Sequence, residues 1–493
     1  MDSERSSEFE LQPENTTPRP QGYRRPARNR RKKKVLGGFS LAMSLLALFL
    51  LLAMGIYGGY SLYNKSLSPT DIRLLIPAVI TVMVIAGISV LASLLCFFLR
   101  RQKKGMAVTG LVISLLLILI CSLGLYAYNY VFSDMEYDSE FDQHSDEDLI
   151  VVTVGNDGEV VRNTQLPQET ISAEEFKEKY RDKEITFDFL QDEDLPEEAQ
   201  EVFIPIPEEK SYLKQGHEQI SNYLLMGIDY TGASDAIMIL SVDRYHQKLK
   251  LISIPRDSYV MIPEWNSHKK LSYTYYWGGA QMFVSVMNYN YFMNITDYIA
   301  VDIDQLGEII DYVGGATVDL NAEEIAVLNR RGFYSGVQEG PSHLCGEAAV
   351  IYARIRKSSS QDSEINRQGR QREVLTSLLQ SAQQMELTEY PGLIRECLGL
   401  CTTSFNSGEL MEIAVEVLQG NYTIETNYAL INEVPYWGGK IGDDNTFYTI
   451  YDMGLASDRL YRIIYEDLYV SAYPDEVIIE EEETEGSSVD PTE

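Results

Sequence analysis

An α/β fold, an α-β-α sandwich around a central mixed sheet preceded by three membrane-spanning helices, is what this 493-residue sequence predicts. Three observations carry that reading. Val35–Tyr60, Leu74–Leu99 and Gly105–Ser133 contain no charged residue, and each exceeds the roughly 20 residues that cross a bilayer. From about Tyr212, buried-strand patterns alternate with helical ones, as in layered α/β or α+β domains. The charge is also unevenly placed. Of a formal −32, residues 1–34 carry +5 and residues 35–133 another +5, so residues 134–493 carry −42.

The division of the chain follows from those patterns. Residues 1–34 form a basic segment, 35–133 the three spans, 134–215 an acidic spacer or accessory segment, 216–473 the main domain and 474–493 a solvated acidic tail. The first apolar run is too long for a signal-peptide core and lacks a small-residue cleavage site, so it is expected to be retained. Arg28, Arg30, Arg31 and Lys32–Lys34 precede it, and Arg100, Arg101, Lys103 and Lys104 separate the second and third runs. The positive-inside rule puts both clusters in the cytoplasm, and an odd number of spans puts everything after Ser133 outside. An acidic outer domain excludes general nucleic-acid binding, which depends on neutralising phosphates.

Within the acidic segment, Leu149–Val154 reads as a strand turning through Asn156-Asp157-Gly158 into Glu159–Val161. Ser172-Ala-Glu-Glu-Phe has a capping-box start and opens a helix toward Tyr180. Strands follow at Asn222–Ile228, Ala236–Val242 and Leu249–Ile254, and helices at Ala280–Met293, Asp304–Val313 and Asn366–Met385. Gly278-Gly279 and Gly314-Gly315 read as turns. Cys345, Cys397 and Cys401 allow one disulfide, Cys345 with Cys397 or with Cys401, or three ordinary reduced side chains. The sequence leaves both open.

Four arginines in one short stretch are the main chemical signal. In an extended strand Tyr352, Arg354 and Arg356 share a face, and on a helix Arg367 and Arg370 are neighbours with Gln371 beside them. Guanidinium groups bind phosphate through paired donors, so the stretch predicts a site for a phosphate-bearing polyanion. Asp229 and Asp235 bound a short loop between two strands, where carboxylates can share a divalent cation, with hard oxygen ligands favouring magnesium. As loop aspartates they are also ordinary turn formers. Arg256 ends a strand behind Pro255 and is a fifth clamp candidate, with an ion pair to Asp257 as its simpler role. Lys270 opens Lys-Leu-Ser-Tyr-Thr-Tyr-Tyr-Trp-Gly-Gly and would ordinarily be solvated.

Six pieces in order resemble one family. Asn-Tyr-Leu-Leu-Met-Gly-Ile-Asp, Ser-Asp-Ala-Ile-Met-Ile-Leu, Leu-Ile-Ser-Ile-Pro-Arg-Asp-Ser, Tyr-Val-Gly-Gly-Ala-Thr-Val-Asp-Leu, Gly-Glu-Ala-Ala-Val-Ile-Tyr-Ala-Arg-Ile-Arg and Arg-Gln-Gly-Arg-Gln-Arg span roughly residues 216–385. Together they resemble the LytR-CpsA-Psr proteins of bacterial cell envelopes. That resemblance implies an α/β sandwich with an apolar lipid channel between sheet and helices, in a Gram-positive-type envelope. It implies a metal-dependent phosphotransferase moving a phosphate-containing glycopolymer from polyprenyl pyrophosphate to peptidoglycan, with pyrophosphatase side activity. Asp229 and Asp235 fall on the metal-associated aspartates, serving magnesium or manganese. Arg256, Arg354, Arg356, Arg367 and Gln371 fall on pyrophosphate-holding residues, Lys270 on a site lysine, and Arg370 on an arginine of secondary role. Asp229, Asp235, Arg256, Arg354 and Arg356 are thus the catalytic set.

Two positions depart from the family pattern. Ala233 stands where an arginine usually precedes the Ser-Asp pair, and Glu364 where aspartate is commoner. The missing donor favours a second reading, a polyprenyl-pyrophosphate receptor or scaffold without turnover. A third is the transcriptional attenuation of the family's older name, but residues 1–34 show no helix-turn-helix or zinc spacing.

Overall fold

The computed structural model describes residues 35–63, 69–99, 104–141, 152–162, 171–181, 194–205, 211–333, 339–356, 364–386, 389–419, 422–442, 445–471 and 473. The basic segment 1–34, Arg100, Arg101, Lys103, Leu149–Val151, Ser358–Ser363 and the tail from 474 lie outside them.

Two compact units divide the chain, one from residues 1–50 and 82–119 and the other from 51–81 and 120–493. Parts of three long helices make up the first: α1 (Leu36–Tyr63), α2 (Pro69–Phe98) and α3 (Lys104–Val131), whose residues 51–63, 69–81 and 120–131 count with the second. Each is long and apolar enough to cross a membrane. Small residues let them approach closely. Ser40 Oγ of α1 donates to Ser89 O of α2 at 3.1 Å, and Ser89 Oγ returns a bond to Ser40 O at 2.8 Å. Gly110 of α3 lies so near that a Cβ there would stand 2.5 Å from Ser40 Oγ. Such hydrogen bonds between apolar helices contribute roughly 0.6 kcal/mol each.

The second unit is built on a seven-stranded mixed sheet. Its strands are β1 (Glu136–Tyr137), β2 (Ile220–Ile228), β3 (Ser234–Asp243), β4 (Lys248–Ser253), β5 (Tyr298–Asp302), β6 (Cys401–Thr403) and β7 (Thr423–Ala429), in the spatial order β1-β6-β5-β2-β3-β4-β7. The β2–β3 and β3–β4 pairs are antiparallel, while β5–β2 and β4–β7 are parallel. Side chains alternate between the two faces with period two. Leu224, Met226, Ile237, Ile239 and Ile252 enter the main core on one face, and Leu225, Leu240, Val242, Leu249 and Leu251 a second core on the other.

Helices cover both faces, which makes the expected three-layer sandwich. On the first lie α4 (Thr274–Tyr291), contributing Phe283, Val284 and Met287, and the helix Met453–Tyr465. Between them in sequence come α5 (Ala322–Arg330), α6 (Gly346–Ala353) and α7 (Glu364–Gln384). Leu375 and Leu379 of α7, with Ile413 and Val417 of the helix Ser407–Gln419, cover the opposite face. The turn expected at Gly278-Gly279 is a break inside α4, with Gly279 at φ 64°, so the helix begins six residues before Ala280.

The acidic segment is not a detached spacer. The hairpin Val152–Val154 with Val160–Arg162 forms, and Ser172 caps Ala173–Lys179 with Glu175 bonding back. Phe176 stacks edge-on against Trp265 at 5.2 Å, and Trp265 Nε1 donates to Tyr180 Oη at 3.0 Å. Val152, Val160 and Phe176 thereby belong to the main core, so no packing boundary falls at residue 215. The disulfide alternative is also absent. Cys345, Cys397 and Cys401 are all free, and burial pushes the Cys397 and Cys401 thiols up to about 12.

Lys250 is the least expected core residue. It is fully buried in β4, where its Nζ donates to Asp243 Oδ2 at 2.9 Å and Ile464 O at 2.8 Å and meets Glu466 at 2.9 Å. A buried charge is tolerated only when paired in this way. The network joins β3 and β4 to the end of the Met453–Tyr465 helix.

Candidate functional site

Strand direction gathers the chemistry at one edge of the sheet. The carboxyl ends of β2, β4 and β5 and the amino end of β3 lie together there, the position where open α/β sheets present ligand sites. Asp229 follows β2, Asp235 lies in β3, Arg256 follows β4, and Ile303 and Asp304 follow β5.

The loop joining β2 to β3 is held by Asp229. Its Oδ1 accepts from Thr231 N at 2.9 Å, Thr231 Oγ1 at 2.5 Å and Ala233 N at 3.1 Å. Gly232 takes φ +84° against the Tyr276 ring, a conformation that favours glycine. Ala233 is buried and spends only its backbone on the loop.

Asp235 sits at the centre. It is 6% exposed and pairs with Arg256 Nη1, while Arg356 Nη2 approaches its other oxygen at 3.5 Å. Arg256 Nε stands 3.4 Å from Asp257, and Asp257 pairs with Lys270 at 2.5 Å. The charges therefore alternate in a chain, Asp235–Arg256–Asp257–Lys270. The simple Arg256–Asp257 pair is present but secondary, and Lys270 is buried, with its ammonium 5.3 Å from the Tyr273 ring.

The four-arginine stretch differs from its expected form. Tyr352, Arg354 and Arg356 do not share a strand: α6 runs to Ala353, with Arg354 as its C-cap. Gly-Glu-Ala-Ala-Val-Ile-Tyr-Ala buries Ala348, Ala349, Tyr352 and Ala353, and a core on more than one side selects the helix. Gly346 fixes its start. A Cβ there would stand 1.9 Å from Gly307 O, and Gly346 N donates to Asp311 Oδ1 at 2.6 Å. The helix end then delivers Arg354 to Asp304, an acceptor the sequence reading overlooked although it directly follows a strand exit.

The helix expected across Arg367 is α7. Arg367 and Gln371, one turn apart, line a cleft of about 200 Å³ with Asp235, Ile303, Arg354 and Arg356. Arg370 is turned elsewhere. It is buried, with Nη1 3.2 Å from Glu324 Oε1 and Nη2 donating to Ile355 O at 2.5 Å. It supports the segment carrying Arg354 and Arg356 and is absent from the cleft lining, as is Lys270. Arg372, given no role by sequence, donates to Ser253 Oγ at 2.7 Å and Thr426 O at 2.6 Å, tying α7 to the exit of β4. Burial lowers its pKa to about 10.

The donor set suits a hard divalent cation in one respect. Asp229 is anchored through Oδ1, and among the described residues Oδ2 has no partner. Asp235 already faces two guanidinium groups, so a cation held by Asp229 and Asp235 would share that carboxylate with them.

A mixed α/β sheet with a three-arginine cleft at its exit edge, on a chain bearing three membrane-length helices, is the class of protein that fold and site define. The chain belongs to the LytR_cpsA_psr family, whose model matches residues 197–452. It is similar to the protein named polyisoprenyl-teichoic acid–peptidoglycan teichoic acid transferase TagU of Halalkalibacterium halodurans, 28% identical over 182 residues, covering 36% of this chain and 58% of that one. The TagU protein of Bacillus mycoides is 27% identical over 234 residues, 46% of this chain and 73% of its own. Among solved structures, Bacillus subtilis TagT is 18% identical, with TM-score 0.41, covering 51% of this chain and 91% of that one.

Proposed function

We propose that the protein is a membrane-anchored glycopolymer transferase working outside the cell, with the pyrophosphate of a polyprenyl-linked donor in the Asp235 cleft. The observation carrying this reading is the convergence of Arg354, Arg356 and Arg367 on one small cleft in a region of net charge −42. The names of the TagU relatives supply the substrate class: a polyisoprenyl-linked teichoic acid as donor and peptidoglycan as acceptor.

In this reading the guanidinium groups neutralise the pyrophosphate and favour the added negative charge of the transition state. A peptidoglycan sugar hydroxyl attacks the phosphorus bearing the polymer. The new oxygen–phosphorus bond forms as the bond to polyprenyl phosphate breaks, and the hydroxyl proton passes to a carboxylate of the cleft. Water in place of the sugar hydroxyl would give the pyrophosphatase side reaction. Magnesium or manganese, held by Asp229 and Asp235, would supply further charge neutralisation. Asp304 holds Arg354 in place. The prenyl chain would lie between α4 and the sheet, where Met226, Met282 and Met287 offer side chains able to repack.

The test uses full-length protein in liposomes with a polyprenyl-pyrophosphate oligosaccharide, peptidoglycan and magnesium. Polymer on peptidoglycan together with free polyprenyl phosphate, both lost in Arg354→Ala, is the expected result. Tight lipid binding with no release of polyprenyl phosphate would replace this reading with the receptor, which the Ala233 substitution favours. Protection of residues 134–493 from protease in inside-out vesicles, where the outer face is enclosed, tests the orientation.

A further inference from the structure

The cleft around Asp235 continues past Arg356. A second groove, of about 460 Å³, adjoins it, and Arg354 and Arg356 line both. Val327 and Arg330 of α5, Arg331 just after it, and Ile351 and Ile355 at the end of α6 form the rest. Arg330 and Arg331 are exposed, and neither makes an ion pair among the described residues. The nearby carboxylates Glu324 and Asp304 pair instead with Arg370 and Arg354.

We infer that this groove holds the first phosphodiester-linked repeat of the donor polymer, running on from the pyrophosphate. The inference rests on the transferase reading and names the substrate feature that the groove recognises. Two adjoining basic clefts sharing two arginines suit a ligand with successive phosphates, since each guanidinium presents a fork of donors to phosphate oxygens. The apolar Val327, Ile351 and Ile355 suit the carbon skeleton between those phosphates. Even paired surface charges add little to folding, so Arg330 and Arg331, exposed and outside any ion pair among the described residues, are dispensable to the fold. A chain of anionic repeats also fits better than a peptidoglycan acceptor, because the groove adds Arg330 and Arg331 to the two arginines it shares with the cleft, and successive phosphates use such donors where sugar hydroxyls do not.

The experiment measures binding to the full-length protein in nanodiscs of two soluble probes, a glycerol phosphate hexamer and inorganic pyrophosphate. Arg330→Ala/Arg331→Ala weakens the hexamer by roughly fivefold at low salt and leaves pyrophosphate within twofold, while the double lysine variant regains only the part of the loss that charge alone carries. Unchanged hexamer affinity, an equal loss for both probes, or no hexamer binding by the wild type overturns the inference. So does a variant that keeps the hexamer but loses a peptidoglycan disaccharide-peptide, which would make the groove an acceptor site. Turnover is not read in this assay. A wild type that binds the hexamer yet never transfers polymer would refute the transferase alone, and an active wild type with unchanged variant binding would remove only the groove.

Discussion

Replacing Asp235 with asparagine keeps the shape of the side chain and removes a negative charge from the centre of the cleft. Asp235 is 6% exposed and faces both Arg256 and Arg356. An anionic ligand between Arg356 and Arg367 competes with that carboxylate for Arg356. A phosphate seated there would stand roughly 6 Å from Asp235, and at an effective dielectric of roughly 40 the repulsion is about 1.4 kcal/mol per unit charge. Without metal, Asp235→Asn should therefore bind inorganic pyrophosphate about tenfold more tightly than wild type. With magnesium the order should reverse, because one carboxylate of the cation site is gone. Polymer transfer should then fall by about 10²-fold or more, the scale of losing one charge-stabilising group at a reaction centre. Calorimetry in chelator and then in magnesium reads the two affinities, and released polyprenyl phosphate reads the transfer. A metal-free affinity that is unchanged or weaker refutes the competition. Transfer that survives refutes the metal role of Asp235.

Arg370→Ala should act on stability instead of on the ligand. It leaves Glu324 buried without its partner, both side chains being under a tenth exposed, at a cost of about 3–5 kcal/mol by urea denaturation. The folded fraction should keep its pyrophosphate affinity within twofold, and a larger change would put Arg370 in the binding site after all. Lys250→Met removes the buried cation beside Asp243, both side chains being fully buried, and leaves that carboxylate only its bonds to His246, so it should cost about 3 kcal/mol, the low end of that range. Adding Asp243→Asn should recover part of that loss, and strictly additive costs would disprove the coupling. His246 predicts a pH dependence. Burial disfavours its charged form, but bonds to Asp243 at 2.7 Å and Asp467 at 2.9 Å outweigh it and raise its pKa above 6.5. The folded state thus holds the proton more tightly, so this stabilisation is complete below pH 6.5 and fades as pH rises through the folded value. The melting temperature should decline across that window in wild type, and a decline just as steep in His246→Gln would exclude His246 as its source.

Much of the fold was legible because its signals are local. Three uncharged runs read as helices from composition alone, and β2, β3 and β4 read from the apolar runs Asn222–Ile228, Ala236–Val242 and Leu249–Ile254. The helix carrying Arg367 and Gln371 was readable for the same reason. Tyr352–Arg356 was not, since alternating apolar and basic residues fit both a strand and the end of a buried helix. Packing of Ala348, Ala349 and Tyr352 against one core decided between them. The acidic segment was legible in part. Its hairpin and its Ser172-capped helix were readable locally, but that a few apolar residues, Phe176 foremost, bind it into the main core was not.

The sequence by itself determined that four arginines crowd one stretch and two aspartates bound one loop, because residue types and their local spacing are written in the chain. Which arginines face a ligand was decided only in three dimensions. Arg367 and Arg370 are three residues apart on one helix, and one lines the cleft while the other closes on Glu324. Lys270, ordinarily solvated in such a place, is buried against Asp257, and Arg330 and Arg331, given no role by the sequence, flank a groove. The physical reason is that a charged side chain takes its role from the partner that reaches it. Those partners, Glu324, Asp257, Asp304 and Asp235, arrive from elements distant in sequence, brought together when the sheet and its helices pack.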